Sequence, residues 1–392
     1  MASTSLVNRV KYSPLLYNVY FKLGCFLIKL LKFFVRTDDK LILFASYSGK
    51  QYDDSPKEIY KAMLKDCRFD GYKLIWAFRN PEKFVIERDG KVKVDTLSYY
   101  KTALKARVWV TNVSMTRGLD FSGKRCLSLN TWHGTPIKMI GSDLMKNSGG
   151  TFVCKGSSLG DVVLAQGMYE KDILMRVFGL DTNQVVVTGL PRNDSLASVC
   201  NSKIIDIRQK LGIPVGRKII FYAPTYREYV KDEGRNCVMR PPFNLEMWKE
   251  RLGDDFVLLI RAHQEVVKVL DLVSNDFVRN VSNYPDLNEL MIVSDILISD
   301  YSSIFFDFSI MHKPMLCYCY DYEEYAEKRG VYIDIRKWLP SAQNEEELLS
   351  LIKNTNLNVK SETAQKFQER FVTEYGSATK KALDIIHENV SV

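Results

Sequence analysis

The sequence predicts an α/β protein made of two doubly wound domains, each built on a parallel sheet. Short apolar runs rich in β-branched and aromatic residues alternate along the chain with longer segments of helical character. Each run stops at polar residues or glycine, as buried parallel strands do. A chain of 392 residues is also too long for one ordinary core and suits two domains.

The predicted strands fall into two series, separated by a helix-like joint at 195–216. The first series comprises 41–49, 72–78, 108–112, 126–134, 162–167 and 185–189. The second comprises 218–225, 256–263, 296–300 and 315–321. Segments of helical character, such as 55–66 and 344–353, lie between many of these strands. We therefore place one domain at 38–216 and the other at 217–392, facing each other across a cleft lined by the carboxyl ends of strands.

Residues 1–37 form a separate basic and apolar segment. Residues 1–36 contain six basic residues and no acidic one, so most of the net charge of +8 lies there. A general nucleic-acid-binding surface is therefore not supported. In a helix five of these six basic side chains occupy a sector about 80° wide, with Leu, Phe, Ile and Val opposite. They are Lys11, Lys22, Lys29, Lys32 and Arg36.

Such a helix is expected to lie in the headgroup plane of an anionic membrane, with its lysines facing the lipid phosphates. A spanning helix would place Lys22 or Lys29 deep in hydrocarbon, which is costly. A cleaved signal peptide is disfavoured, because the positive charges run through the apolar stretch. The alternative is an amphipathic helix docked on the protein's own core.

Cysteine spacing and missing motifs argue against several classes of protein. The 8 cysteines are scattered without a Cys-x-x-Cys pair, which argues against a zinc site and suits a reducing cytoplasm. The sequence also lacks the phosphate loop, the dinucleotide-binding glycine pattern, the HExxH motif and the GxSxG elbow. Hydrolase, kinase and dehydrogenase functions are therefore disfavoured.

Side chains able to do chemistry concentrate at the predicted strand ends. His133 ends one strand of the first domain and His263 ends one of the second. A single histidine in such a place is more often structural, but two at matching places favour a function. Arg261 and His263 alternate by two, so both point the same way and suit a phosphate group.

The strongest local signal is the strand-to-helix segment 294–309. A buried strand runs into Asp300, and Ser302 and Ser303 then open an apolar helix whose free N–H groups would form an anion site. Asp307 lies one turn further, on the same face. Simple N-capping by the serines is the alternative.

The ordered motifs resemble the CDP-glycerol glycerophosphotransferase family, whose members build wall teichoic acids and some capsules. The motifs are NTWHGTPIK, TGLPRND, FYAPTYRE, LIRAHQ and the segment 294–321, and the likeness spans roughly residues 41–335. The resemblance implies two facing Rossmann-like domains of the GT-B type and peripheral attachment to the cytoplasmic face of the cell membrane. It implies no cofactor, with CDP-glycerol or CDP-ribitol as the donor, and leaves a divalent ion open.

The resemblance also assigns roles to residues. His133 and His263 match the two histidines treated as catalytic in the family. The implied donor contacts are Trp132, Gly134, Thr135, Pro136, Arg192, Pro224, Thr225, Arg261, Ala262, Ser302, Ser303 and Asp307. A hydroxyl of a lipid-linked glycan or teichoic acid would attack the phosphorus that bears the alditol, with His133 as the candidate base. A sugar transferase with a nucleotide-sugar donor and a non-enzymatic membrane scaffold stay open as alternatives.

Overall fold

The computed structural model describes residues 13–88, 90–148, 159–225, 227, 242–262 and 274–390. Two parallel sheets form its framework. The first contains β1 (Asp38–Ala45), β2 (Lys73–Phe78), β3 (Lys91–Lys93), β4 (Ala106–Thr111), β5 (Leu127–Asn130), β6 (Val162–Ala165) and β7 (Val185–Val187). The second contains β8 (Lys218–Tyr222), β9 (Phe256–Ile260), β10 (Val278–Asn280), β11 (Ile296–Ser299), β12 (Met315–Tyr318) and β13 (Ser341–Ala342).

Both sheets follow the strand order of doubly wound nucleotide-binding folds. The first runs β3-β2-β1-β4-β5-β6-β7 and the second runs β10-β9-β8-β11-β12-β13. Every strand pair in them is parallel. The order reverses between β1 and β4 and again between β8 and β11, which are the positions where such folds bind ligands. The prediction of an α/β fold with parallel sheets is confirmed.

Helices cover both sheets. In the first half they are α1 (Pro14–Phe34), α2 (Asp54–Met63), α3 (Leu97–Lys105), α4 (Gly141–Ser148), α5 (Met168–Phe178), α6 (Asp194–Ala197) and α7 (Asn201–Lys210). In the second half they are α8 (Leu245–Leu252), α9 (Leu287–Val293), α10 (Ile304–Ser309), α11 (Tyr322–Arg329), α12 (Glu345–Asn354), α13 (Glu362–Phe371) and α14 (Ala378–Val390).

The last helix, α14, crosses back to the first sheet. Its residues Ala382, Leu383 and Ile386 belong to the same buried cluster as Ile42 and Phe44 of β1. All strands of the first sheet precede residue 217 and all strands of the second follow it, but the predicted domain 217–392 also included this helix. Its packing assigns it to the first sheet instead, because its apolar face covers that sheet's strands.

Helix α1 presents three different faces. One face is docked on the first domain, where Ile28 and Leu31 are buried in a cluster with Leu119 of the loop after β4. A Cβ on Gly24 would lie 2.5 Å from Cδ2 of Leu119, so the helix approaches this loop closely. The predicted apolar side is therefore divided, because part of it packs on the protein's own core.

The far side of α1 carries an apolar stripe that is exposed. Its members are Leu15, Leu16, Val19, Leu23, Phe26, Leu27, Leu30, Phe33 and Phe34. Along one border of this stripe lie the exposed basic residues Lys22 and Lys29, and Arg36 follows the helix. Lys32 is half-buried, and its Nζ donates to the carbonyl of Ser122. Across the described ranges, none of the helices has the length and apolar character needed to span a membrane.

Candidate active site

The candidate site lies where the strand carboxyl ends of the two domains meet. A Cβ on Gly134 would lie 2.6 Å from Oγ of Ser303, so the loop after β5 touches the turn after β11. Gly134 also has a φ of +140°, which a larger residue rarely adopts. Glycine at this position thus allows the two domains to come together beside His133.

His133 is half-buried and its imidazole is oriented by the backbone. Its Nδ1 lies 2.9 Å from the carbonyl oxygen of Asn112, the residue that follows β4. Because a carbonyl only accepts hydrogen bonds, Nδ1 carries the proton and Nε2 keeps its lone pair. Burial lowers the pKa of His133 below its ordinary value, and the Asn112 carbonyl and Asp54 oppose this effect. A neutral imidazole with a free Nε2 suits a general base.

The turn before His133 is strained. Trp132 adopts a φ of +52°, in the left-handed region that a large side chain rarely occupies. Its N–H donates to Oδ1 of Asn130 at 2.8 Å, and its Nε1 donates to the carbonyl of Gly134 at 3.0 Å. The indole and imidazole rings lie 4.2 Å apart at 36°. Trp132 therefore supports the His133 ring within the fold.

Arg192 joins the two domains through carboxylates. Its Nη1 lies 3.0 Å from Oδ2 of Asp54 in the first domain, and its Nη2 lies 2.8 Å from Oδ2 of Asp307 in the second. Nη1 also donates to the carbonyl of His133 at 3.0 Å. Within the described ranges, Nε of Arg192 is buried without a hydrogen-bond partner. Both terminal nitrogens of Arg192 therefore bind groups of the protein itself, and Arg192 fixes the loop that carries His133.

Asp307 faces this network rather than open space. It is buried, and its Oδ1 accepts from Nδ2 of Asn193 at 2.6 Å and from Nε2 of Gln166 at 3.1 Å. Its geometry therefore makes it a positioning residue for Arg192, and a direct donor contact stays a prediction.

Thr135 and Pro136 also point inward. Oγ1 of Thr135 donates to Oε2 of Glu170 at 3.0 Å, and the carbonyl of Pro136 accepts from the hydroxyl of Tyr169 at 2.9 Å. Both residues are buried. They hold the His133 loop in place, and a contact with the donor stays a prediction.

In the second domain the predicted donor contacts line one edge of the sheet. Asp300 accepts from the N–H of Thr225 at 2.9 Å and pairs with Arg227 at 2.8 Å, which fixes the Pro224–Thr225 loop. Within the described part of the chain, Oγ1 of Thr225 is buried without a partner. Arg227 also pairs with Asp321 at 2.7 Å, so its guanidinium forms ion pairs within the second domain.

Arg261 follows β9 and is half-buried. Its Nη1 donates to the carbonyl of Tyr284 at 2.5 Å, and the N–H of Ala262 donates to Oγ of Ser282 at 3.1 Å. Burial lowers the pKa of Arg261, and the negative charge of Asp53 in the first domain opposes this effect.

Helix α10 is short and follows the Ser302–Ser303 turn. It spans six residues and begins at Ile304, with Ser303 as its N-cap and no hydrogen bond from the Ser303 side chain. Oγ of Ser302 accepts from the N–H of Ile304 at 3.3 Å, so this serine does cap the helix. A helix of this length provides a weak dipole. The hydroxyls of Ser302 and Ser303 are therefore the better candidates for binding an anion at this turn.

Several site residues escaped the sequence prediction. Asn112 and Gln166 follow β4 and β6 as polar strand-end residues, and that position is the signal that would have found them. Asp54 and Glu170 lie within helices and gave no such signal. His263 lies outside the described residues. Across the described ranges, no three His, Cys, Asp or Glu side chains are grouped so that they could hold a metal ion.

Two doubly wound sheets that meet at their strand carboxyl ends, with a neutral histidine between them, define a two-domain enzyme of the nucleotide-binding α/β class. The chain belongs to the CDP-Glycerol:Poly(glycerophosphate) glycerophosphotransferase family, whose profile matches residues 27–388.

Individual relatives agree with this assignment. The chain is 32% identical over 345 residues to the teichoic acid glycerol-phosphate transferase of Staphylococcus aureus, covering 84% of this chain and 86% of that one. It is 33% identical over 370 residues to the teichoic acid poly(glycerol phosphate) polymerase of Staphylococcus epidermidis, covering 90% of this chain and 51% of that polymerase, or about half its length. A solved structure of a variant of the wall teichoic acid polymerase TagF, soaked with CDPG, matches with a TM-score of 0.81 at 30% identity, covering 93% of this chain and 92% of that chain.

Proposed function

We propose that this protein transfers glycerol phosphate from CDP-glycerol to a hydroxyl group of a lipid-linked teichoic acid or capsule acceptor and releases CMP. Membership of the glycerophosphotransferase family supports this reaction class. The observation that carries the proposal is His133, held at the meeting point of the two domains with Nδ1 2.9 Å from the carbonyl oxygen of Asn112. CDP-ribitol is the alternative donor.

The reaction needs a base on the acceptor side and positive charge on the nucleotide side. The acceptor oxygen forms a bond to the phosphorus that bears the glycerol, and the bond from that phosphorus to the CMP oxygen breaks. Nε2 of His133 takes the proton of the acceptor hydroxyl, and CMP leaves with the electron pair. Arg261 and the hydroxyls of Ser302 and Ser303 would stabilise the phosphate charge from the second domain. His263 keeps its sequence-based assignment to the donor phosphates.

We also propose that α1 binds the cytoplasmic face of the membrane. Its exposed stripe includes Phe33 at 80% and Phe26 at 67% exposure, and such aromatic side chains gain stability when they enter the acyl boundary. Lys22 and Lys29 lie beside the stripe, and each would add about 1 kcal/mol at an anionic surface. A lipid-linked acceptor would then be delivered in the plane where the enzyme is held.

The function is tested by offering CDP-glycerol, CDP-ribitol and a UDP-sugar separately with a defined lipid-linked acceptor. Of the three donors, we expect only CDP-glycerol to give CMP release and a product that is heavier by glycerol phosphate units. Turnover with CDP-ribitol instead would show that the transferred group is ribitol phosphate. Turnover only with the UDP-sugar would identify a sugar transferase, and no turnover with any donor would favour a scaffold.

A further inference from the structure

The backbone carbonyl that orients His133 belongs to Asn112, and both polar atoms of the Asn112 side chain also form hydrogen bonds. Asn112 follows the last residue of β4, where the carbonyl of Thr111 still accepts from the N–H of Thr131 at 2.8 Å. The carbonyl of Asn112 comes one residue after that contact and accepts from the imidazole of His133 instead.

The side-chain amide of Asn112 has a single possible orientation. Its Oδ1 accepts from the backbone N–H of Tyr47 at 2.8 Å, and its Nδ2 donates to Oδ2 of Asp54 at 3.0 Å. Because an N–H only donates and a carboxylate only accepts, the amide cannot be reversed. Asn112 is also fully buried, so loss of either bond would leave an unsatisfied polar group.

Asp54 connects this amide to the rest of the site. Its carboxylate also accepts from the hydroxyl of Tyr47 at 2.5 Å, from the N–H of Ser55 at 2.6 Å and from Nη1 of Arg192 at 3.0 Å. Burial would raise the pKa of Asp54, but Arg192 and these hydrogen bonds outweigh it and hold the pKa below its ordinary value. Asp54 therefore stays charged, and Arg192 relays its position to Asp307 of the second domain.

The loop that supplies these partners is held in a strained conformation. Tyr47, Ser48 and Asp54 have φ values of +48°, +54° and +64°, in the left-handed region that non-glycine residues rarely adopt. Such conformations persist only where the surrounding contacts fix them, and they concentrate at functional sites. The strain is localised in the loop that contacts Asn112.

We propose that Asn112 is a positioning residue that holds His133 in the Nδ1–H tautomer, with its amide locked by Tyr47 and Asp54. This inference rests on the proposed function, because the tautomer matters only if Nε2 acts as the base. The other tautomer would place a proton on Nε2 and remove the lone pair that accepts the acceptor proton. Among the described residues, the charged or titratable groups that act on the His133 ring from neighbouring elements are Asp54, Arg192 and Tyr47. The Tyr47 ring lies 6.2 Å from the imidazole.

The tautomer can be measured without turnover. The chain has only four histidines, so nitrogen-15 labelling of histidine in the full-length protein gives few signals, and His133→Asn identifies the one of interest. In a long-range proton–nitrogen spectrum above neutral pH, we expect wild-type His133 to show a protonated Nδ1. Asn112→Ala should yield a mixture of tautomers.

The kinetic expectation separates positioning from general damage to the fold. Asn112→Ala should lower kcat by at least about tenfold, which is less than the roughly 10²–10⁴-fold loss expected for removing the base itself, and should change the KM for the donor little. Thr111→Val is the matched control, because Oγ1 of Thr111 bonds the nearby N–H of Val113 at 3.3 Å without contacting His133. This control should keep the wild-type tautomer.

A second measurement protects the test against misfolding. The nitrogen-15 signals of the other histidines should match wild type in a folded Asn112→Ala protein, so a change confined to His133 reports its tautomer. A wild-type spectrum with protonated Nε2, or an Asn112→Ala protein that keeps both the wild-type tautomer and kcat, would overturn the inference. The tautomer is read without any donor, so the proposed function would be judged separately by its product.

Discussion

Replacing Glu170 by glutamine is predicted to remove a pH dependence of folding stability. The carboxylate is buried in the first domain, where Oε2 accepts from the N–H of Gln166 at 2.8 Å and from Oγ1 of Thr135 at 3.0 Å. Within the described ranges, Oε1 has no hydrogen-bond partner. Burial raises the pKa of Glu170 from 4.5 to about 7, although these hydrogen bonds and Arg192 oppose the shift.

The direction in which stability changes with pH follows from proton binding. The folded protein binds this proton more tightly than the unfolded chain, so the stabilisation is complete below pH 4.5 and is lost as the pH rises through about 7. The difference between the two pKa values corresponds to about 3 kcal/mol. Glutamine offers the same acceptor to Gln166 and Thr135 without a charge. In Glu170→Gln the free energy of unfolding should therefore no longer fall as the pH rises through about 7.

The assay is denaturant unfolding of wild type and variant at several pH values between 5 and 8.5, followed by tryptophan fluorescence. We expect the variant to be more stable than wild type at the alkaline end by about 3 kcal/mol, with the difference shrinking toward pH 5. Glu362→Gln, at a side chain that is 88% exposed, is the control. Parallel pH profiles for wild type and Glu170→Gln would refute the assignment.

Three further predictions concern the domain contact, the membrane and the donor. Asp307→Asn should lower the free energy of unfolding by about 1.5–3 kcal/mol, because Arg192 keeps Asp54 but loses its charged hydrogen-bond partner in the second domain, and thermal unfolding that matches wild type would contradict this. Changing Lys22 and Lys29 to Glu should release the protein from anionic vesicles, and sedimentation equal to wild type would exclude α1 as the anchor. His263→Ala should weaken donor binding by about 1.5–3 kcal/mol, as calorimetry can show, and unchanged affinity would remove its phosphate role.

The parallel α/β fold could be predicted from sequence because its strands are buried on both faces. Runs such as 41–49 and 296–300 therefore begin with a continuous apolar stretch, and these stretches lie within β1 and β11. The return of α14 to the first sheet could not be predicted in this way. An amphipathic helix fits either sheet, and only the tertiary packing of Leu383 and Ile386 decides between them.

The candidate site was predictable where a residue ends a strand. His133 lies in the loop that directly follows β5, and parallel strands bring their carboxyl ends to one edge of the sheet. The direction of side chains was not predictable, so Thr135 and Asp307 emerged as internal contacts. Glu170 gave no signal at all, because a buried glutamate within a helix has the same sequence pattern as an exposed one. The division of the apolar side of α1 likewise depends on its docking partner.

The central claim is that His133 is the base in a transfer that releases CMP. The most direct test is the rate of CMP release by His133→Ala at saturating CDP-glycerol and acceptor, with donor affinity measured in parallel and His387→Ala as a histidine control on α14. We predict a fall in kcat of about 10²–10⁴-fold with donor affinity nearly unchanged. The wild-type rate should fall only at acidic pH, below the ordinary imidazole pKa of 6.5, because burial lowers the pKa of His133. Near-normal turnover by His133→Ala under these conditions would contradict the account.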